Sequence, residues 1–536
     1  MKRSLLLLLL AAFLLAACGG AQAAEPAALP PAASDQPVME ETAVAPQDEF
    51  PPLRIVTSFR INSLDPVPQG FWMPEFGVAE LLLQVRADGQ YHPWLLESLA
   101  QVDELTWRLT LRPGITFQNG KPLDAAALSA LIERQLALSP SAQGEMPAGS
   151  SVAIVDELTV DLITPVPSTT IPSALSSEGV FPVYDVEAVA AVGDNFEQLA
   201  GAGFYTGPYS VVSLTEEEMV LERYDDYWQG RPALPGVSVR FVSDAQARIL
   251  AVQNDEADIA LYPPTAAKPA VDASQTAFFN YGTPSTGGFR MVLNIQEPPF
   301  NDMAVRQAII RAIDYEQLAN EVMDGVFLPA TGFYAEWLPW SIQNQQTDLT
   351  AAQQILDEAG WLPGGNGIRQ KDGQSLSIIL LIYPQQPDLE PISVAIQSQL
   401  RQAGFAVEIS SVDGITDAML ENLEPWQAGL VSSGSLTFGG APEPVLKRGF
   451  VTGGDRNYAN FSNAELDALV KELSQTFDEA RRTEILHRLQ VILIEEEPYQ
   501  FYVNYHTGRV IVGQNYRHYQ PGFNLFHVSY ETQPTP

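Results

Sequence analysis

The feature that most restricts what this 536-residue chain can fold into is a tandem of three segments in its second half. Ser377–Ile382 is a continuous apolar run rich in isoleucine and leucine, the pattern of a buried strand. Residues 390–403 then place Ile392, Ala395, Ile396 and Leu400 at helical spacing, Gly404 follows, and residues 405–411 read as a second strand. Strand, helix and strand in succession predict a right-handed parallel crossover, hence an α/β chain. Open α/β sheets bind ligands beyond the carboxyl ends of their strands, and multi-lobed ones bind them between lobes.

Other segments fit this alternation. Thr106–Leu111 has the period-two pattern of a half-buried strand, stopped by Pro113-Gly114. Val305, Ile309, Ala312 and Ile313 follow helical spacing, with Asn301 or Asp302 as N-cap. The pattern from Thr350 to Gln353 predicts a capping box opening a helix that Gly360 ends, and Ser462 to Glu465 predicts another. The globular part is expected to begin near Leu53-Arg54-Ile55-Val56.

The N-terminus carries an address. Lys2 and Arg3 precede an apolar stretch at 5–15, and Leu15-Ala16-Ala17-Cys18 supplies small residues at a cleavage point. This reads as a signal peptide, too short for a comfortable membrane span. Cys18 is the only cysteine and follows the small residues as in a bacterial lipobox, so it is the expected lipidation site, its acyl chains holding the protein to a membrane. Residues 19–49 are rich in alanine, proline and glutamate and read as a flexible tether. With one cysteine no intramolecular disulfide forms, so stability rests on burial. About five hundred residues exceed what one core serves, and two or three lobes are expected. The net charge of −36 argues against nucleic acid or an anionic membrane surface as partner.

Searches for catalytic patterns return little. No P-loop, dinucleotide fingerprint, G-x-S-x-G elbow or H-E-x-x-H pair is present, and Gly364-Gly365-Asn366-Gly367 lacks the lysine and helix start of a phosphate cradle. Of five histidines, His487 falls within a helical stretch as a surface or packing residue. His506, His518 and His527 are close in sequence, but their spacings fit no standard metal site. No cofactor and no catalytic residue are therefore assigned. Trp72, Trp94, Trp228, Trp337, Trp340, Trp361, Trp426 and Phe438 are spread along the chain and suit either a core or a cleft accepting varied solutes, with Trp107 and Trp228 reading as structural.

Several stretches taken in order resemble the family 5 extracellular solute-binding proteins of ABC importers, the group of dipeptide-, oligopeptide- and nickel-binding proteins. These are Leu64-Asp65-Pro66, Pro93-Trp94-Leu95, the run from Thr106 to Gly114, and Phe117-Gln118-Asn119-Gly120-Lys121-Pro122-Leu123. Further on come Gly207-Pro208-Tyr209, Leu221-Glu222-Arg223 with Tyr227-Trp228, Pro299-Phe300-Asn301-Asp302 with Val305-Arg306-Gln307-Ala308, Ala312-Ile313-Asp314, Ala359-Gly360-Trp361 and a helix start at 478–482. The resemblance implies a type II periplasmic-binding-protein-like α/β fold of two lobes with an extra subdomain and a hinged ligand cleft. Lobe I would comprise residues 50–76, 206–283 and 506–536, with 77–205 as its inserted subdomain, and lobe II residues 284–505. It also implies a small solute as ligand, an ABC permease and ATPase as partners, a monomeric state, and a place at the outer face of the cell membrane or in the periplasm.

The ligand anchors the resemblance leads one to seek are missing. Where peptide binders carry a W-x-x-D segment, this chain has Phe438-Gly439-Gly440-Ala441-Pro442-Glu443-Pro444, with Phe438 for the tryptophan and Gly440 for the aspartate. The nickel-binding branch would supply a histidine in the loop from Phe450 to Asn457 and arginines near 173–182, and neither stretch has them. The expected cleft residues are Phe438 and Gly440, with Trp426 and Arg456 beside them. The reading is a non-enzymatic, lipid-anchored binding protein for a peptide or peptide-like solute. Its alternatives are a nickel-chelate binder, a sensory receptor module on the same fold, and an extracellular hydrolase.

Overall fold

The computed structural model describes residues 50–86, 90–522 and 526–535. The leader, Cys18 and the tether lie outside the described residues, and no helix among those described is long and apolar enough to cross a membrane.

Two large sheets organise the chain. The first has seven strands, ordered Ala277–Pro284, Thr507–Gly513, Ile259–Leu261, Leu53–Thr57, Gly236–Phe241, Glu218–Arg223 and Tyr209–Leu214. Leu53–Thr57 runs parallel to both neighbours and brings the carboxyl ends of three strands together. The second sheet has five strands, ordered Ala406–Ser411, Ser377–Ile382, Ala428–Gly434, Gly287–Leu293 and Gln500–Tyr502. Ser377–Ile382 is parallel to both Ala406–Ser411 and Ala428–Gly434, and the helix Leu389–Ala403 makes the crossover that the sequence pattern predicts. That helix stops where Gly404 turns left-handed at φ +94°. A β-carbon there would lie 2.6 Å from Cγ of Arg369, whose Nε caps the carbonyl of Ala403 at 2.9 Å.

A four-stranded antiparallel sheet, ordered Leu96–Gln101, Thr106–Leu111, Thr159–Ile163 and Ser151–Ile154, shares its core with the first sheet. Leu109 and Leu111 belong to one buried cluster with Leu53, Ile55, Val237 and Val239. A separate cluster gathers Met291, Leu380, Ile392, Ile396 and Leu400 around the second sheet. That second cluster also takes in Val56, Ala260, Phe279 and Ile511 from the first sheet. Each such side chain contributes on the order of 1.5–3 kcal/mol by leaving water. The molecule therefore has two lobes, one on each large sheet, with buried apolar packing continuous from one into the other. The chain crosses between them twice, side by side. Ser285 donates its backbone N–H to the carbonyl of His506 (2.8 Å), and His506 donates to Gly287 (2.7 Å).

Several local expectations hold and two are corrected. The helix Met303–Ala312 opens on Asp302, whose side chain accepts from the N–H of Ala304. The helix Leu349–Glu358 is capped by Asp348 rather than Thr350, and Ala464–Leu473 by Asn463 rather than Ser462. In each case a neighbouring Asx carboxylate or amide reaches the third N–H along, at 2.8–2.9 Å, and displaces the hydroxyl. Trp228 is structural: its Nε1 donates to the buried carboxylate of Glu80 at 3.0 Å, where Tyr227 donates at 2.6 Å. His487 is exposed on the helix Glu479–Val491.

Candidate functional site

The carboxyl ends of the parallel strands in the first lobe supply one wall of a site. Phe59 follows the strand Leu53–Thr57 and Tyr262 follows Ile259–Leu261, and their rings meet edge to face at 5.0 Å. Trp72 lies 5.5 Å from Phe59 and 4.4 Å from Phe71. All four rings are half-buried. Tyr262 stands at φ +52°, a left-handed conformation that is costly for a bulky side chain and is kept only where its surroundings enforce it. Arg248, 2% exposed, enforces it by donating to the carbonyls of Val242, Ser243 and Tyr262 at 2.8–3.0 Å.

Behind the rings lie two acids from distant parts of the chain. Glu75 sits on the short turn Pro74–Phe76 and Glu178 just after the helix Ile171–Leu175. Gly70 brings these segments together, because a β-carbon there would come within 2.9 Å of Pro182. The carboxyls are 1% and 3% exposed, and Oε2 of each has no hydrogen-bond partner. Burial pushes Glu178 up to about 8. Glu75 is held well above the ordinary carboxylate range, first by burial and then by the charge of Glu178, although the Tyr262 hydroxyl opposes the rise. His527, whose N–H holds the carbonyl of Glu75 at 2.8 Å, is pushed down to about 4 by burial and stays neutral. Its Nε2 is also unpartnered.

The second lobe reaches this region through the turn after the strand Ala428–Gly434. Thr437 receives the N–H of Gly440 and donates its own to Ala441, both at 2.9 Å, and Gly440 takes φ +86°. The turn lies on the helix Ile171–Leu175: the hydroxyls of Thr437 and Ser173 are 2.9 Å apart, and a β-carbon on Gly439 would fall 2.0 Å from the carbonyl oxygen of Ser173. Beside it Thr169 donates its hydroxyl to Glu443 at 3.1 Å and its N–H to the carbonyl of Ser474 at 3.0 Å, while Arg482 pairs with Glu443 at 2.7 Å. Nearer the crossing strands, Asp388 of the second lobe accepts from Arg509 at 2.5 Å and from the N–H of Thr265 at 2.8 Å. The two lobes therefore touch at two separate places.

The residues expected from sequence separate into two groups. Phe438, 55% exposed, and Gly440 lie in the turn that meets the first lobe. Trp426 does not: it is 2% exposed, donates its indole N–H to Asn422 at 3.0 Å, and precedes the strand whose far end carries that turn. Seven residues of strand separate the two by roughly 20 Å. Trp426 is thus a packing residue in this structure. Arg456 is half-buried beyond the far end of the helix Glu443–Gly449, where its N–H donates to Arg448. The segment 173–182 presents Glu178 where an arginine was sought. No group of three or more metal-ligating side chains forms among the described residues. His506 is wedged between Phe289 and Phe327, at 4.4 and 4.8 Å, with burial lowering it to about 3, and His518 contacts Arg517. Phe59, Glu75, Glu178 and Tyr262 escaped the sequence reading; the one available signal was that Phe59 and Tyr262 directly follow strands.

Two lobes joined by paired crossing strands, with a wall at strand carboxyl ends, define a two-lobed binding protein. The comparisons agree. The model of the bacterial extracellular solute-binding proteins, family 5, matches residues 90–453, and the chain belongs to that family. The chain is 24% identical to the nickel-binding protein NikA of Staphylococcus aureus over 452 residues, 83% of this chain and 87% of the relative. It is 26% identical to the oligopeptide-binding protein AppA of Bacillus subtilis over 343 residues, 60% of this chain and 61% of the relative. The crystal structure of NikA from Brucella suis in complex with Fe(III)-EDTA superposes with a TM-score of 0.80 at 21% identity, covering 91% of this chain and all of that one, which shows the shared fold.

Proposed function

We propose that this protein captures a small solute, a peptide or peptide-like molecule, between its lobes outside the cytoplasm and delivers it to the permease and ATPase of an ABC importer. It acts as a monomer, tethered through residues 19–49 to a lipid-modified Cys18. Residues 50–76, 206–283 and 506–536 form the first lobe, 77–205 its subdomain and 284–505 the second lobe. The observation that supports this most is the contact of Thr437 and Gly439 with Ser173 across the lobes, beside an aromatic wall at strand ends. Closing two lobes over a solute favours the closed form only by the extra contacts that form makes. The curated relatives carry both nickel-binding and oligopeptide-binding names, so a metal chelate is the second reading.

The test is a thermal-shift and small-angle-scattering screen of the mature protein against di- to pentapeptides, nickel–histidine chelates and oligosaccharides. The proposal expects stabilisation with compaction and no turnover. Stabilisation by none of them, with hydrolysis of an ester, peptide or glycoside, would overturn it.

A further inference from the structure

We infer that the first-lobe wall is an ammonium site: Glu75 and Glu178 receive the cationic amine of the solute while Phe59, Trp72 and Tyr262 flank its apolar body. The inference rests on the capture reading and names the chemistry of what is captured.

Four observations carry it. Two carboxyls that are almost wholly buried each leave an oxygen without a donor, and a buried polar atom in that state costs free energy until something donates to it. Neither carboxyl has a cationic partner among the described residues, and the guanidinium that acts on Tyr262, that of Arg509, is already paired with Asp388. The rings in front are half-buried and present π faces and edges, the surface that attracts an ammonium group. Finally, Tyr262 is held in a strained backbone conformation at that spot by the bond its carbonyl accepts from Arg248, itself anchored on the carbonyls of Val242 and Ser243, an arrangement that fixes the ring between strand end and acids.

Charge accounting decides between an ammonium and a neutral hydroxyl as occupant. The ionisable groups facing the pair are Tyr262, Tyr519 and His527, with Arg509 behind Tyr262. Burial keeps the two tyrosines protonated and His527 neutral. In the empty site the carboxyls therefore hold protons at neutral pH. An arriving ammonium donates N–H bonds to the bare oxygens and favours the carboxylate form, so a proton leaves one carboxyl for solvent as the amine binds, and no bond to carbon changes. A hydroxyl would bind without that release.

The experiment is calorimetric titration of the mature full chain in phosphate and in Tris at neutral pH. The probes are Phe-Ala, its N-acetyl derivative, phenethylamine, a disaccharide and the nickel–histidine chelate. The expected result is that the free amines bind with an enthalpy that differs between buffers by a fraction of one released proton. Affinity for phenethylamine, whose amine stays protonated throughout, rises between pH 6 and 8 by at most about tenfold per unit, and that for Phe-Ala rises only until its own α-amino group begins to lose its proton at about pH 7.7. The double variant Glu75→Gln, Glu178→Gln, which keeps the shape of the protonated acids, lowers amine affinity about ten- to hundredfold and abolishes the buffer dependence. If a neutral or anionic probe binds with compaction while the amines do not, or amines bind with no proton release, the ammonium inference falls and the capture reading stands. If no probe binds at millimolar concentration, both fall.

Discussion

Gly439→Ala isolates the contact between lobes. Gly439 does not have a left-handed φ, so alanine fits the turn itself, and its only obstacle is the opposite lobe. The added β-carbon would lie 2.0 Å from the carbonyl oxygen of Ser173 and 2.7 Å from its carbon, against an ordinary contact of 3.4 Å or more. A shift of well over an ångström is needed, and the turn cannot yield because Thr437, Gly440 and Ala441 lock it with backbone bonds. The lobes must part, breaking the bonds from Thr437 to Ser173 and from Thr169 to Glu443 and Ser474. At about 0.5–1.5 kcal/mol each, three bonds bias closure by about 2–4 kcal/mol, which weakens the apparent affinity for a captured solute roughly 30- to 1,000-fold. Scattering should show loss of solute-induced compaction, and calorimetry the loss of affinity. The solute-free melting temperature should stay within about 2 °C of wild type, because an open molecule lacks the contact. Wild-type compaction and affinity would refute the closure reasoning, and so would a large loss of solute-free stability.

Three further outcomes follow from named contacts. Asp388→Asn leaves the 8%-exposed guanidinium of Arg509 without its charge partner and should lower stability in urea by about 3–5 kcal/mol; a loss under 1 kcal/mol would show the pair to be dispensable. Glu178, raised from an ordinary 4.5 to about 8 in the folded chain, stabilises fully below its unfolded value and loses that contribution as pH rises through about 8. The stability difference between wild type and Glu178→Gln should therefore shift toward the variant between about pH 4.5 and 8, and a difference flat with pH would contradict the burial. Trp426→Phe should cost about 1–3 kcal/mol through lost packing and the lost bond to Asn422 yet leave solute affinity unchanged; weakened binding at full stability would return Trp426 to the cleft.

The crossover around Ser377–Ile382 and Leu389–Ala403 was legible because periodicity encodes which face is buried, and burial is what those residues do. The helix caps shifted by one or two residues because adjacent Asp, Asn, Ser and Thr side chains all can accept an N–H, and only geometry chooses. The site was illegible for a different reason. Glu75, Glu178 and Tyr262 are far apart in sequence, and in a chain with 65 acidic residues nothing local marks the two acids that fold into the interior. Gly440 read as a missing anchor in the sequence. In the structure the neighbouring Gly439 is the thin place that lets one lobe approach the backbone of the other.

The strand order of the first sheet fixes when that sheet can form. Its second position is filled by Thr507–Gly513, from the end of the chain, between Ile259–Leu261 and Ala277–Pro284. The second sheet needs only residues 287–502, a single stretch. During synthesis or threading through a membrane pore the second lobe can assemble as soon as its own stretch has emerged. The first must wait, with a gap in its middle, until the last strand arrives to pay the loop-closure cost. A chain built this way keeps its first sheet incomplete until residues 507–513 emerge, the condition in which a polypeptide can still be threaded.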